Sequence, residues 1–180
     1  MSKSLGLIIG LYLLLTGMYI WAIPLWEAPD EPAHFLYIQY IAEHDALPPP
    51  VPPQRGRFFE RGYATSAYEW HQPPLYYWLA STWLAVNRSL NLVTPFAGFP
   101  AVNPDFASGA TRLFLPMPAA PEPYLVRLFS MLLGLGTLVN AYTLARQLFP
   151  DEKWFPELTA GMTALIPQFA FLHAYVNNDT

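Results

Sequence analysis

Residues 4–25 read SLGLIIGLYLLLTGMYIWAIPL and contain no charged side chain. A helix needs about 20 apolar residues to cross the roughly 30 Å hydrocarbon core of a bilayer, and this stretch supplies them. Lys3 precedes it, and Trp21 and Trp26 lie at its far end, as expected for a cytoplasmic amino end and an interfacial aromatic belt. The alternative, a cleaved signal peptide, is disfavoured because no small-x-small cleavage site follows. The stretch therefore predicts a first transmembrane helix.

Two further apolar stretches, residues 124–148 and 154–175, predict a second and a third transmembrane helix. The third contains Pro167, which predicts a kink. The short turn between the two stretches has Arg146 and Lys153 close to helix ends. By the positive-inside rule this turn lies in the cytoplasm, on the side of the amino terminus. The pattern predicts a multi-pass protein of the plasma (inner) membrane with a cytoplasmic amino terminus.

The segment between the first two spans, residues 26–123, is predicted to be a large external loop. Within it, residues 31–44 predict a short helix along the membrane surface, with Asp30 as its N-cap. Residues 73–86 are apolar and aromatic but too few for a span, which predicts a second interfacial helix. The expected fold is an all-α integral membrane domain over residues 1–180, with about three transmembrane helices and two interfacial (juxtamembrane) helices.

Composition agrees with a membrane protein and argues against several functional classes. Hydrophobic residues make up 53% of the chain and charged residues only 12%, whereas soluble domains average about 25% charged residues. Lysines and arginines are scattered singly and the net charge is −4, so nucleic acid is not an expected partner. Cysteine is absent, which excludes disulfides and cysteine nucleophiles. A transporter is disfavoured because the cores of the first two predicted spans lack charged side chains.

Residues 29–34, PDEPAH, place two adjacent carboxylates directly after the first span. Carboxylates beside hydrocarbon are costly unless they are solvated, paired or metal-bound. Asp30 and Glu31 suit general-base catalysis, in which one carboxylate accepts a proton and its neighbour tunes the charge or binds Mg²⁺ or Mn²⁺. His34, one helical turn beyond Asp30, is a candidate to orient either carboxylate or to act as a ligand. The alternative is that Asp30 only caps the helix and Glu31 interacts with its dipole.

Two other places combine polar groups with apolar surroundings. Residues 71–77 read HQPPLYY, in which His71, Gln72 and Tyr76 form either a substrate-binding surface or a structural turn made rigid by proline. Arg127 lies near the outer end of the second predicted span, where it either extends to the lipid headgroups or holds a lipid phosphate as a bidentate donor.

The carboxy-terminal end of the third predicted span carries Asn178 and Asp179. They are either a polar helix terminus or a second acidic corner of one external site. In the second case Asp30 and Asp179 are the candidate ligands of a divalent cation.

The order of these motifs resembles a known family. The motifs cover nearly the whole chain: Pro29-Asp30-Glu31, then HQPPLYY at 71–77, then Arg127-Leu128 opening a span that ends Leu144-Ala145-Arg146, then Asn178-Asp179. They are similar to the amino-terminal part of the GT-C membrane glycosyltransferases, in the branch of the protein mannosyltransferases, the aminoarabinose transferases and their uncharacterised bacterial relatives.

The resemblance implies a polyprenyl-phosphate sugar donor and an acceptor that meet at the outer face of the membrane. It assigns the general base to Asp30, with Glu31 beside it, and implies attack of the acceptor hydroxyl on the anomeric carbon with inversion. The chain departs from the family in having Gln72 where many relatives have lysine, which leaves His71 or Arg127 to bind the donor phosphate. Residues 87–123 also form a longer loop than in relatives, which implies a different acceptor.

The resemblance also implies what the chain needs from outside. The family has many more membrane spans, so the 180 residues are expected to be the front piece of a longer protein and to be inactive alone. The expected partners are a lipid-linked sugar donor, membrane lipids, and either the remainder of the chain or a partner subunit. The competing hypothesis is a non-catalytic membrane module that packs against partner helices.

Overall fold

The computed structural model describes residues 3–49, 69–96 and 120–179, and every regular element in these ranges is a helix. The all-helical prediction is therefore confirmed for this part of the chain. The portions of the predicted external loop at 50–68 and 97–119 lie outside the described residues. In chain order the helices are α1 (Lys3–Ala22), α2 (Glu31–His44), α3 (Leu75–Ser89), α4 (Pro121–Leu148), α5 (Phe155–Leu165) and α6 (Pro167–Leu172).

Two of these helices, α1 with 20 residues and α4 with 28, are long and apolar enough to cross a membrane. They correspond to the first and second predicted spans. Helix α1 ends at Ala22, three residues before the predicted end, because Pro24 cannot donate a helical hydrogen bond and disfavours a helical residue before it. Helix α4 begins earlier than predicted, at Pro121, since proline is well tolerated in the first turn of a helix.

The third predicted span is divided into α5 and α6. The division falls at Ile166, whose ψ of 113° is extended rather than helical. Pro167 explains this conformation, because its ring clashes with a helical residue at the preceding position. The predicted kink is thus a complete interruption, and neither helix alone is long enough to span a bilayer. A third span is not confirmed.

Helices are present at both predicted interfacial positions. Helix α2 has the predicted bounds, whereas α3 begins at Leu75 and ends at Ser89, two and three residues later than predicted. The two helices pack against each other through Tyr37 and Tyr77, whose rings stack with centroids 3.9 Å apart. That they lie on a membrane surface remains a prediction.

The chain divides into two compact units. The first contains Met1–Ala22 and Arg127–Tyr175 with Thr180, and the second contains Ile23–Val126 and Val176–Asp179. The first unit has a core of apolar residues around Tyr12, which also include Leu5, Leu138, Tyr142, Ala160 and Ala164.

Within the first unit, α1 and α4 approach closely at Gly134. A hydrogen bond of 2.9 Å runs from the Tyr12 hydroxyl to the Met131 carbonyl. A β-carbon at Gly134 would overlap both the Tyr12 hydroxyl and the His173 ring. Glycine at this position therefore lets aromatic side chains from α1 and from the end of α6 lie against the α4 backbone, as small residues do at helix interfaces in membranes.

Within the second unit an ion pair joins α3 to the first turn of α4. Arg88 donates two hydrogen bonds, of 2.5 and 3.0 Å, to the fully buried Glu122 carboxylate. The backbone N–H of Phe96 donates a third, of 2.7 Å. These three hydrogen bonds, two from arginine and one from the backbone, compensate the carboxylate for the hydration that it loses on burial.

Candidate functional site

Asp30 occupies the N-cap position of α2, as the sequence predicts, but its side chain does not cap the helix. The residue has a left-handed backbone, with φ 53° and ψ 7°, and makes no side-chain capping hydrogen bond. Aspartate is among the few non-glycine residues that tolerate this conformation. The side chain is exposed, so its carboxylate is accessible to an incoming group.

Glu31, the neighbouring carboxylate, has a different environment because it is fully buried. One of its oxygens accepts a hydrogen bond of 3.0 Å from the Trp26 backbone N–H, and the other accepts one of 3.2 Å from the Val176 backbone N–H. These bonds connect the segment before α2 to the segment after α6. Glu31 therefore holds the backbone of the site in place, whereas Asp30 faces outward.

His34 contacts α3 instead of the two carboxylates. A hydrogen bond of 2.7 Å joins its Nδ1 to the Tyr77 hydroxyl, and the two rings are nearly parallel with centroids 5.9 Å apart. Burial lowers the pKa of His34 from 6.5 to about 4, because the charged imidazolium loses hydration. The imidazole is therefore neutral at physiological pH, and its described partner is a tyrosine.

A turn before α3 carries the second group of polar residues. The Gln72 backbone N–H donates a hydrogen bond of 2.9 Å to the Glu69 carbonyl, and this turn leaves His71 exposed and Gln72 half-buried. Glu69 itself is only 3% exposed. Tyr76, at the start of α3, is buried with its ring edge-on to Tyr77 at 5.6 Å.

The ionisation of Glu69 reports which charged groups lie near it. Burial has the largest effect and raises its pKa, and the Gln72 side chain opposes this by donating a hydrogen bond. Asp30 and Asp179 raise the pKa further, whereas His71 lowers it. Negative charges nearby disfavour the ionised form of a carboxyl group and so raise its pKa. The turn at 69–72 therefore lies within electrostatic range of both exposed aspartates.

The last described residues meet this turn directly. The Asn178 side-chain amide donates a hydrogen bond of 2.9 Å to the Gln72 side-chain carbonyl. The Asp179 backbone N–H donates one of 2.7 Å to the side chain of the buried Asn177. These bonds place residues from the carboxy-terminal end of the described chain beside the second motif.

The structure thus brings together residues from three separate motifs within the second unit: Asp30 and Glu31, His71 and Gln72, and Asn178 and Asp179. Arg127 belongs to the first unit, where it is fully buried and donates a hydrogen bond of 3.1 Å to the Ile20 carbonyl. Its guanidinium is therefore engaged by the protein in this structure.

Divalent-cation binding finds limited support in the part of the chain that the structure describes. No group of three or more histidine, aspartate or glutamate side chains is placed there to hold a metal ion. Oxygen-ligated cations take six or more ligands, several of which come from water or substrate. Asp30 and Asp179 would need such additional ligands to hold Mg²⁺ or Mn²⁺.

Sequence reasoning missed Glu69. It precedes the recognised HQPPLYY motif by two residues, and a lone carboxylate among aromatic residues was the available signal. Its burial depends on how the turn packs against residues distant in the chain, and local spacing does not report such packing.

Comparison of the chain with family models, curated proteins and solved structures found no match.

Proposed function

We propose that the chain forms part of a membrane glycosyltransferase that transfers a sugar from a polyprenyl-phosphate donor to an acceptor hydroxyl at the outer face of the membrane. The observation that carries the proposal is the Asn178–Gln72 hydrogen bond, together with the electrostatic proximity of Glu69 to Asp30 and Asp179. Motifs whose order resembles the GT-C family, and which are far apart in sequence, converge on one polar cluster.

In the proposed reaction Asp30 is the general base. Its exposed carboxylate takes the proton of the acceptor hydroxyl as the oxygen attacks the anomeric carbon of the donor sugar. The bond between that carbon and the phosphate oxygen breaks, and polyprenyl phosphate leaves as an anion, with inversion at the anomeric carbon. Because the leaving group is stable as an anion, no strong general acid is needed. The proton on Asp30 then passes to solvent.

Glu31 positions the proposed base, because the two backbone N–H groups that bind it hold the start of α2. Asn178 bonds to Gln72 in the same cluster. For the donor phosphate, His71 is the better candidate of the two alternatives, since it is exposed beside Gln72 whereas Arg127 is buried against α1. We assign His34 no direct part in the reaction, because its described hydrogen bond is to Tyr77.

The proposed topology places the site outside the plasma (inner) membrane. Helices α1 and α4 cross it, and α5 and α6 together form a third span interrupted at Pro167. Discontinuous helices are tolerated in membranes where they face protein or a water-filled cavity. Helices α2 and α3 lie along the outer surface, and the amino terminus is cytoplasmic.

A test is the Asp30→Asn variant of the protein expressed at its natural length. We expect it to insert into membranes normally and to release no polyprenyl phosphate from a panel of polyprenyl-phosphate hexoses and pentoses. Asp45→Asn is a matched control, because Asp45 is also exposed and left-handed, with φ 51°, at the other end of α2. Transfer that survives in Asp30→Asn would refute the assignment.

The competing function is a non-catalytic membrane module that packs against partner helices. One feature favours it: exposed apolar residues recur on α1 at spacings of three and four, namely Leu7, Leu11, Leu14, Met18 and Trp21. Such a stripe faces either lipid or another helix. A stable crosslinked complex combined with no binding of any polyprenyl-phosphate sugar would favour the module over the enzyme.

A further inference from the structure

Glu69 is the buried carboxyl of the cluster. The Gln72 side chain hydrogen-bonds to the carboxyl group and lowers its pKa, against the larger effect of burial. The Oε2 atom is buried and has no hydrogen-bond partner among the described residues. Buried polar atoms in native proteins are almost always paired, so an unpaired one calls for an explanation.

The neighbouring amides do not supply the missing donor. The Gln72 side-chain carbonyl accepts from the Asn178 amide, which turns the Gln72 amino group towards Glu69. The hydrogen bond between the Gln72 side chain and the carboxyl group does not satisfy Oε2. The amides of Asn178 and Gln72 therefore leave Oε2 without a donor.

The charged groups that face Glu69 do not supply it either. Asp30 and Asp179 raise the pKa of Glu69 and are hydrogen-bond acceptors when ionised. His71 is close enough to lower that pKa but makes no hydrogen bond to Oε2. The Tyr77 hydroxyl, whose pKa is raised in part by Glu69, is hydrogen-bonded to His34. No described side chain therefore donates to Oε2, and a hydroxyl group of a bound ligand is a donor that would satisfy it.

The chemistry of the cluster selects the kind of ligand group. A carboxyl group is a poor partner for the phosphate of a polyprenyl-phosphate donor, for which His71 is the candidate, so the lipid phosphate is not the group that binds at Glu69 itself. A sugar is neutral and presents several hydroxyl groups, each of which donates a hydrogen bond. A site that hydrogen-bonds a substrate hydroxyl also discriminates strongly against a ligand that lacks it.

We propose that Glu69 is a substrate-binding residue of the site around Asp30, whose unpartnered carboxyl oxygen accepts a hydrogen bond from a hydroxyl group of the donor sugar. The inference rests on the proposed function and deepens it. Glu69 orients the sugar through a bond remote from the reacting centre, and Asp30 acts on the acceptor hydroxyl. Positioning of this kind lowers the entropic part of the barrier.

The experiment compares two lipids on the protein at its natural length in lipid nanodiscs: a polyprenyl-phosphate sugar and the same polyprenyl phosphate without sugar. We expect Glu69→Gln to weaken binding of the sugar-bearing lipid about tenfold and to leave binding of the sugar-free lipid unchanged. Glu43→Gln, which removes an exposed carboxylate on α2, leaves both unchanged. Glu69→Asp, which keeps the charge but shortens the side chain, is expected to give an intermediate loss.

Thermal unfolding of the same samples separates binding from a structural role. Since burial penalises the Glu69 carboxylate, Glu69→Gln is expected to unfold at an unchanged or higher temperature. Equal losses for both lipids with a lower unfolding temperature would assign Glu69 to the fold and overturn the inference. If the unaltered protein prefers the sugar-bearing lipid and Glu69→Gln keeps that preference, only the inference fails. If the unaltered protein has no preference, the proposed function fails and the inference with it.

Discussion

The Asn178 side-chain amide donates a hydrogen bond of 2.9 Å to the side-chain carbonyl of Gln72, which lies 106 positions earlier in the chain. This bond gives the Gln72 amide one orientation, with its amino group towards Glu69. Two polar segments that are separate in sequence thereby share one hydrogen-bond chain. The orientation of Gln72 depends on a residue that no local pattern connects to it.

We predict that the two amides are energetically coupled. Asn178→Ala removes the donor to the Gln72 side-chain carbonyl, and we expect a loss of about 1 kcal/mol in the free energy of unfolding. Gln72→Ala removes the acceptor and should cost a similar amount. A double-mutant cycle measured by chemical denaturation in detergent should therefore be non-additive. Strictly additive losses would show that the two side chains do not interact.

The adjacent carboxylates are predicted to respond differently to neutral substitution. Glu31→Gln replaces an acceptor with an amino group facing the backbone N–H of Trp26 or Val176, so we expect a loss of about 2 kcal/mol in unfolding free energy. Asp30→Asn keeps an exposed residue that tolerates the left-handed backbone, so we expect almost no change. Denaturation of both variants in the same detergent provides the comparison. Greater destabilisation by Asp30→Asn than by Glu31→Gln would contradict the assignment of the backbone-holding role to Glu31.

Acid is predicted to destabilise the packing of α2 against α3 through His34. The pKa of His34 is lowered by burial to about 4, below its ordinary value of 6.5, so protonation favours the unfolded chain. The stability contributed by neutral His34 is fully present above pH 6.5 and is lost as the pH falls towards 4. The free energy of unfolding is expected to fall by about 3 kcal/mol over this range.

The test is the pH dependence of unfolding between pH 7 and 4. His34→Gln should lack this component of the acid sensitivity. His44→Gln should retain it, because His44 is an exposed residue on the same helix. Identical pH profiles for the unaltered protein and His34→Gln would contradict the prediction.

Two glycines on α4 provide a matched pair for testing the packing of the first unit. An alanine at Gly134 would overlap the Tyr12 hydroxyl and the His173 ring, whereas nothing lies within 4 Å of a β-carbon at Gly136. We expect Gly134→Ala to lower the unfolding free energy by about 1–3 kcal/mol. Gly136→Ala should be neutral or stabilising, since alanine favours helix. Equal effects in a denaturation series would show that α4 does not approach α1 closely at Gly134.

Local patterns were sufficient to predict most helices. Residues 4–25 lack charge over the length of a bilayer, and backbone hydrogen bonds in such a stretch are best satisfied within a helix. The resulting α1, the bounds of α2 and the effect of Pro167 all follow from chain neighbours within a few residues. At Pro167 the predicted kink is a complete break with Ile166 extended, and the third span is not confirmed.

The sequence by itself determined the helical elements, the scarcity of charge and the list of candidate polar residues. Only the tertiary structure decided their roles: Asp30 is exposed and does not cap α2, Glu31 is buried and holds the backbone, and Glu69 joins the site. The physical reason is that helix formation depends on interactions between near neighbours, whereas burial and hydrogen-bond partnership depend on residues far apart in the chain. Gln72 and Asn178 show this most directly, because their side chains are hydrogen-bonded to each other across 106 positions of sequence.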